Sequence, residues 1–294
     1  MTSTTLQLTR KLYATAVGSA AGATVGMVGW GGAQVIIPLM THPSNFANFT
    51  QLSATGISLS SLSLSTVSSG LKFWHEDKVN LPIAFAIGLP AVMSAYVGSH
   101  IAKKISGDAL SLFFNGFSIV LIPTHFWIQQ RASSRRIADK NTNGNYDMKG
   151  KEQVDVTKLF KTEFKIDNTM QHVSYGLFSG IISSLMGVGG LPLTMSYMTE
   201  ATNLPHHYVQ GTAVCAVVPS VLMSAISRIN AIPLQTSACV AFGAILGGYG
   251  GAKVALDLTE EQLRKLYMGS LFLFGGRSAV GAFRNIQKIR GASK

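Results

Sequence analysis

The chain has 294 residues, 47% of them hydrophobic and only 13% charged, with a net charge of +11. Soluble domains carry about 25% charged residues, so the deficit argues against an ordinary water-soluble globular domain. The positive residues sit at the ends of apolar segments and in one long connection, not in a stripe interleaved with aromatics, which argues against nucleic acid as a partner and fits membrane topology.

From the N-terminus, Arg10 and Lys11 precede an apolar, glycine-rich stretch too long for the core of a secretory signal. The first acidic residue is Glu76, and the leading segment is rich in Ser and Thr. Two readings stay open: a mitochondrial address, or a plain basic end before a first membrane helix.

A bilayer-spanning helix needs about 20 mostly apolar residues. Eight stretches qualify: 14–40, 52–71, 81–103, 109–128, 172–198, 209–227, 232–254 and 263–283, and none of the 13 acidic residues falls inside them. The second is rich in Ser and Thr, whose hydroxyls can bond back to their own helix, so it is expected inside a bundle, away from lipid. Residues 129–170 are polar and charged, and divide the chain into a first membrane unit (1–128) and a second (171–294). With eight single crossings, 18 of the 24 basic residues fall on the side of the termini and that connection, against 5 opposite. Positive residues favour the cytoplasmic face, so the termini are expected in the cytoplasm, or in the matrix of a mitochondrion.

The two halves resemble each other. At a spacing of 158, Gly18, Gly22, Gly29, Gly31 and Gly32 align with Gly176, Gly180, Gly187, Gly189 and Gly190. Thr55 aligns with Thr212 at 157, and Tyr96, Gly98 and Gly116 with Tyr249, Gly251 and Gly269 at 153. Four spans per copy is an even number, so both copies should enter from one side, as parallel repeats. Transporters are often built from such duplications.

Each copy opens on G-x-G-G: Gly29-Trp30-Gly31-Gly32 and Gly187-Val188-Gly189-Gly190. Glycine costs about 1 kcal/mol against alanine in a helix interior, so three in four residues predict a break in the first helix of each repeat. Unwound backbone at membrane depth must be buried in protein or line a cavity. A helix restarting after Gly32 or Gly190 presents free N–H groups and a positive dipole end, an anion site made of backbone. Pro38 and Pro192 support the breaks. Gln34 lies just past the first break, and an amide can donate to an anion; it can equally cross-link helices, as can Gln51 and Gln210. Arg277 is expected to snorkel from the last span, and Lys253 and His100 to anchor a membrane edge. Close packing of small residues is the competing account of these glycines, and the better one for Gly18, Gly22, Gly26, Gly176 and Gly180.

No nucleophile elbow, P-loop or HExxH motif occurs. Cys215, Cys239, His206 and His207 lack metal-ligand spacing. An enzyme is not expected, nor a cofactor or metal.

The doubled G-x(3)-G…G-x-G-G block, a Thr about 22 residues after each, and the third-helix endings GSHIAKKIS (98–106) and GAKVALDLT (251–259) resemble the sulfite exporter (TauE/SafE) family. The resemblance implies an all-α multipass carrier that exports sulfite or small organosulfur anions and performs no catalysis. It implies that Gly29, Gly31, Gly32 and Thr55 line one half of the path, and Gly187, Gly189, Gly190 and Thr212 the other. Ala33 and Leu191 stand where the family usually has a third glycine, and Ser196 stands opposite Pro38. These departures leave an alternative: a transport-inactive structural subunit of a larger membrane complex. A homo-oligomer is a further open expectation.

Overall fold

The computed structural model describes residues 3–42, 49–142, 166–202 and 204–292, and among these no strand occurs. Ten α-helices follow in chain order: α1 (Ser3–Val28), α2 (Ala33–Thr41), α3 (Gln51–His75), α4 (Leu81–Lys104), α5 (Gly107–Thr142), α6 (Ile166–Met186), α7 (Leu191–Ala201), α8 (His206–Ser227), α9 (Leu234–Asp257) and α10 (Glu260–Ala292). Helix α5 continues through 129–142, which composition assigned to the polar connection; 143–165 lie outside the described residues.

Local chemistry sets several helix starts. Thr50 caps α3 by accepting from Ser53 N, and Asn80 caps α4 by accepting from Ile83 N at 3.2 Å. Pro192 stands in the first turn of α7, where a missing N–H costs nothing, whereas Pro38 lies inside α2. Four helices among the described residues are long and apolar enough to cross a membrane: Leu81–Lys104, Gly107–Ile128, His206–Ser227 and Leu234–Asp257.

Helix α3 is at the centre and packs on α1, α2, α8 and α9. Its hydroxyls turn inward onto their own backbone: Ser61 donates to Ile57 O, Thr66 to Leu62 O and Ser69 to Ser65 O, each at 2.8 Å. That is how so polar a helix occupies a core with most of its hydroxyls satisfied, Ser65 Oγ being an exception.

Glycine faces carry two further pairings. A Cβ on Gly18, Gly22 or Gly26 of α1 would land on the backbone of α9 at Val240, Ala244 or Gly248. A Cβ on Gly176 or Gly180 of α6 would land on α4 at Ile87 or Ala91. Both pairs run parallel, the first helix of each half lying beside the third long helix of the other.

The corresponding helices α3 and α8, however, run in opposite directions. Gly56, near the start of α3, faces Ile232 and Arg228, just past the end of α8; Gly211, near the start of α8, faces Phe73 and Lys78 at the end of α3. Helices α5 and α10 are antiparallel too, with Asn115 beside Gly281 and His125 stacked on Tyr267. The parallel-repeat expectation is therefore corrected: the halves have opposite senses.

The reason lies in α2 and α7. Gly32 returns to stand against Ala21 of α1, and Gly190 against Ser183 of α6. Tyr197 of α7 stacks on Tyr175 and shares a hydrogen bond of 2.8 Å with His172, both in the first half of α6. Each G-x-G-G thus reverses the chain instead of interrupting one crossing. A half then contains five runs, an odd number, and the second half enters from the other side. The end of α5 and the start of α6 accordingly lie away from the start of α1 and the end of α10, which removes the ground for gathering them on one basic face.

Candidate functional site

The two reversals meet. In the first, Gly29 has φ +68; in the second, Gly187, Gly189 and Gly190 have φ +75, +77 and +74. L side chains rarely adopt this left-handed region, which explains glycine at these four positions. Gly32 differs: it takes ordinary right-handed angles (φ −59, ψ −9) as the N-cap of α2. Gly31 is excluded from bearing a side chain by contact, since its Cβ would stand 2.5 Å from Val188 O. The first turns of α2 and α7 both start at this junction, and the leading N–H groups of any α-helix lack partners within it.

Around the junction the polar side chains hold the turns in place. Ser58 of α3 donates to Gly187 O at 3.1 Å, and a Cβ on Gly187 would stand 2.6 Å from Thr55 Cβ. Thr55 in turn accepts from Arg228 Nη1 at 2.6 Å. Arg228 is only 1% exposed; its Nη2 donates to Ser184 O and lies 3.5 Å from Leu185 O, at the end of α6. A cation at a helix C-terminus is favourably placed against the helix dipole. Its Nε has no hydrogen-bond partner.

The other half is arranged likewise with different residues. Gln210 Nε2 donates to Gly26 O at 2.8 Å, near the end of α1, and Thr212 Oγ1 accepts from Asn80 N at 2.8 Å. Each threonine is therefore tied to the connection that follows the long helix of the opposite half. Gln34 Nε2 donates to Ser118 Oγ of α5 at 2.7 Å. Of the residues singled out by sequence, the structure brings Gly29, Gly31, Gly32, Gly187, Gly189, Gly190 and Thr55 to or beside the turns. Gln34, Gln210 and Thr212 brace the helices around them. Gly189 faces Leu62 and Val221, so its surroundings are apolar. Arg277, Lys253 and His100 are exposed.

Trp30, 1% exposed, fills the first turn and meets His125 of α5 and Tyr267 of α10 edge-on, with ring centroids 5.4 and 6.0 Å away. His125 Nε2 lies 2.9 Å from Pro192 O in the first turn of α7. His125 thereby touches both reversals.

The chain matches the family model described as Sulfite exporter TauE/SafE over residues 14–278. It belongs to the TauE/SafE family. It is also 23% identical over 237 residues to the Probable membrane transporter protein YdhB of Bacillus subtilis (strain 168), covering 79% of this chain and 85% of that protein. No solved structure matches it. TauE/SafE proteins are multi-pass membrane transporters and not enzymes, and neither comparison points to a structural subunit.

Sequence reasoning missed Arg228 and His125. Arg228 stands one residue past an apolar segment and reads there as a topology anchor. His125 is the one histidine inside the stretch 109–128, and an intramembrane ionisable residue is a functional candidate by default; that signal was available. Their partners lie 173 and 67 positions away, which no local pattern reveals.

Proposed function

We propose that this chain is a secondary carrier of a small oxyanion, of the sulfite or organosulfonate class, held where the two G-x-G-G reversals meet. The contact of Gly31 with the Val188 carbonyl carries this reading, because it brings the starts of α2 and α7 to one place. Two helix starts there offer backbone N–H groups and dipole ends of the favourable sign. Gly29, Gly32, Gly187, Gly189 and Gly190 let backbone approach the anion closely, Thr55 and Gln34 shape one side, and Thr212 braces the other. Family membership supports transport, and the sulfur-oxyanion class rests on the family's description.

In this reading the eight apolar stretches form two repeats, each with a re-entrant hairpin (α1–α2 or α6–α7) and three long helices, related by an axis in the membrane plane. This is the inverted-repeat plan that places substrate at the repeat interface. The basic end of α5, with Arg131, Arg135, Arg136 and Lys140, faces the cytoplasm or matrix, and the termini face the other side. A plasma membrane and a mitochondrial inner membrane suit this plan equally, as do a monomer and a homo-oligomer.

The test is counterflow in proteoliposomes with labelled sulfite, sulfate and methanesulfonate. Uptake is expected for the wild type and reduced in a folded Gln34→Leu variant, which removes an amide in the first turn of α2 without placing a side chain on backbone. Absence of uptake of all three anions by folded wild-type protein would refute the reading.

A further inference from the structure

The coupling ion is the part of a carrier that motifs leave open, and one buried side chain bears on it. His125 is 1% exposed. Its Nδ1 faces Leu121 O at 3.0 Å, and its Nε2 faces Pro192 O at 2.9 Å. A neutral imidazole carries one N–H and can serve one of these carbonyls; an imidazolium carries two and serves both. Ser196 Oγ lies within bonding distance of both ring nitrogens and also of Pro192 O, at 2.9 Å. With the ring neutral, Nδ1–H serves Leu121 O and the Ser196 hydroxyl serves Pro192 O. With the ring charged, Nε2–H takes over Pro192 O. Either protonation state leaves both carbonyls satisfied, so the cluster is built to hold a proton or release it.

The surroundings determine what balances that charge. From the first reversal comes Trp30, from α10 Tyr267, and from α7 Ser196. Beyond Tyr267 lies His206 of α8, at 6.0 Å between rings. Glu260 enters one step further out, accepting from the backbone N–H of His206 at 3.0 Å. Among the described residues, the side chains in ring or hydrogen-bond contact with His125 include no carboxylate. The two structures that His125 touches, the Trp30 turn and the start of α7, are the walls of the anion position.

We infer that His125 is a proton-binding site whose occupancy is coupled to that of the anion between the two reversals, making the protein a proton–anion symporter. The inference rests on the carrier reading above. A proton on Nε2 and a monovalent anion at the start of α7 together add no net charge to the buried junction, whereas either alone adds one. Each therefore raises the affinity for the other by the same factor, as linkage requires.

The experiment reads the histidine through Trp30. The chain has three tryptophans, and Trp74 and Trp127 are exposed, so Trp74→Phe/Trp127→Phe leaves Trp30 as the reporter. An imidazolium against an indole edge quenches its fluorescence. A titration from neutral pH down to the acid limit of the folded protein should show quenching on acidification that disappears in His125→Gln. Saturating sulfate, sulfite or methanesulfonate should raise its midpoint by about one unit, a tenfold gain in proton affinity. Nitrogen NMR of the His125 ring in the otherwise wild-type chain gives the same midpoint without touching the core, should the variants fold poorly. A flat titration, one that survives His125→Gln, or a midpoint indifferent to all three anions overturns the inference. Counterflow that persists beside a flat titration strikes down the coupling alone, and its absence strikes down the carrier.

Discussion

Arg228 Nη1 donates to Thr55 Oγ1 across 2.6 Å, tying the end of α8 to the start of α3 directly above the Gly187 turn. The same guanidinium closes the end of α6 through the Ser184 and Leu185 carbonyls. Arg228→Met removes the charge, keeps much of the volume and orphans those acceptors. Each buried group left unsatisfied costs about 1–3 kcal/mol. The midpoint of chemical denaturation in detergent should fall accordingly, and Arg228→Lys, with a single ammonium head in place of the planar fork, should recover only part of it.

Gly187→Ala meets two obstacles, a φ of +75 and Thr55 Cβ at 2.6 Å from the new methyl. The left-handed backbone alone costs about 1–2 kcal/mol. Gly116 lies in α5 with nothing within 4 Å of its would-be Cβ, and Gly116→Ala should be neutral or stabilising by about 0.5–1 kcal/mol. Thermal unfolding of the pair checks the contrast; equal melting temperatures would contradict the turn geometry.

Topology gives a sharper check. Asp77 and Asn230 are both exposed, the first after α3 and the second after α8. With eight single crossings the two connections share a face. With α3 and α8 antiparallel they do not. In a Cys215→Ala/Cys239→Ala background, Asp77→Cys and Asn230→Cys should react with an impermeant maleimide from opposite sides of sealed vesicles. Labelling from one side would restore the parallel arrangement.

The α1–α9 seam predicts a position-specific intolerance. Gly22→Val drives a side chain into the Ala244 carbonyl, while Gly250→Val, in the same α9 helix, meets nothing within 4 Å. Overpacking costs about 1–3 kcal/mol where neighbours can yield, and here the neighbour is backbone. Gly22→Val should therefore lose its monodisperse peak in size-exclusion chromatography, and Gly250→Val should keep it.

Helical class, apolar segments and the positions of the reversals were legible because they depend on local composition: three glycines in four residues disrupt a helix wherever they occur. The sense of the chain after Gly32 and Gly190 was not. A break and a reversal share one local signature, and only the returns of Gly32 to Ala21 and of Tyr197 to Tyr175 separate them. That single ambiguity propagated, since it turned an odd number of runs into an even one and inverted the relation between the halves. The family resemblance groups Thr55 with Gly29, Gly31 and Gly32 of its own half, yet Thr55 stands against the Gly187 turn and its partner Arg228 also comes from the other half.

Two halves of opposite sense are near-images of each other turned upside down. In the carrier reading, if each half adopted its counterpart's conformation the molecule would be the same object seen from the other face of the bilayer, so a shape open to one side would imply a shape open to the other. In that carrier reading the two shapes differ in energy only where the halves differ, as where Trp30 aligns with Val188 at the spacing of 158 and His125 with Ser278 at 153.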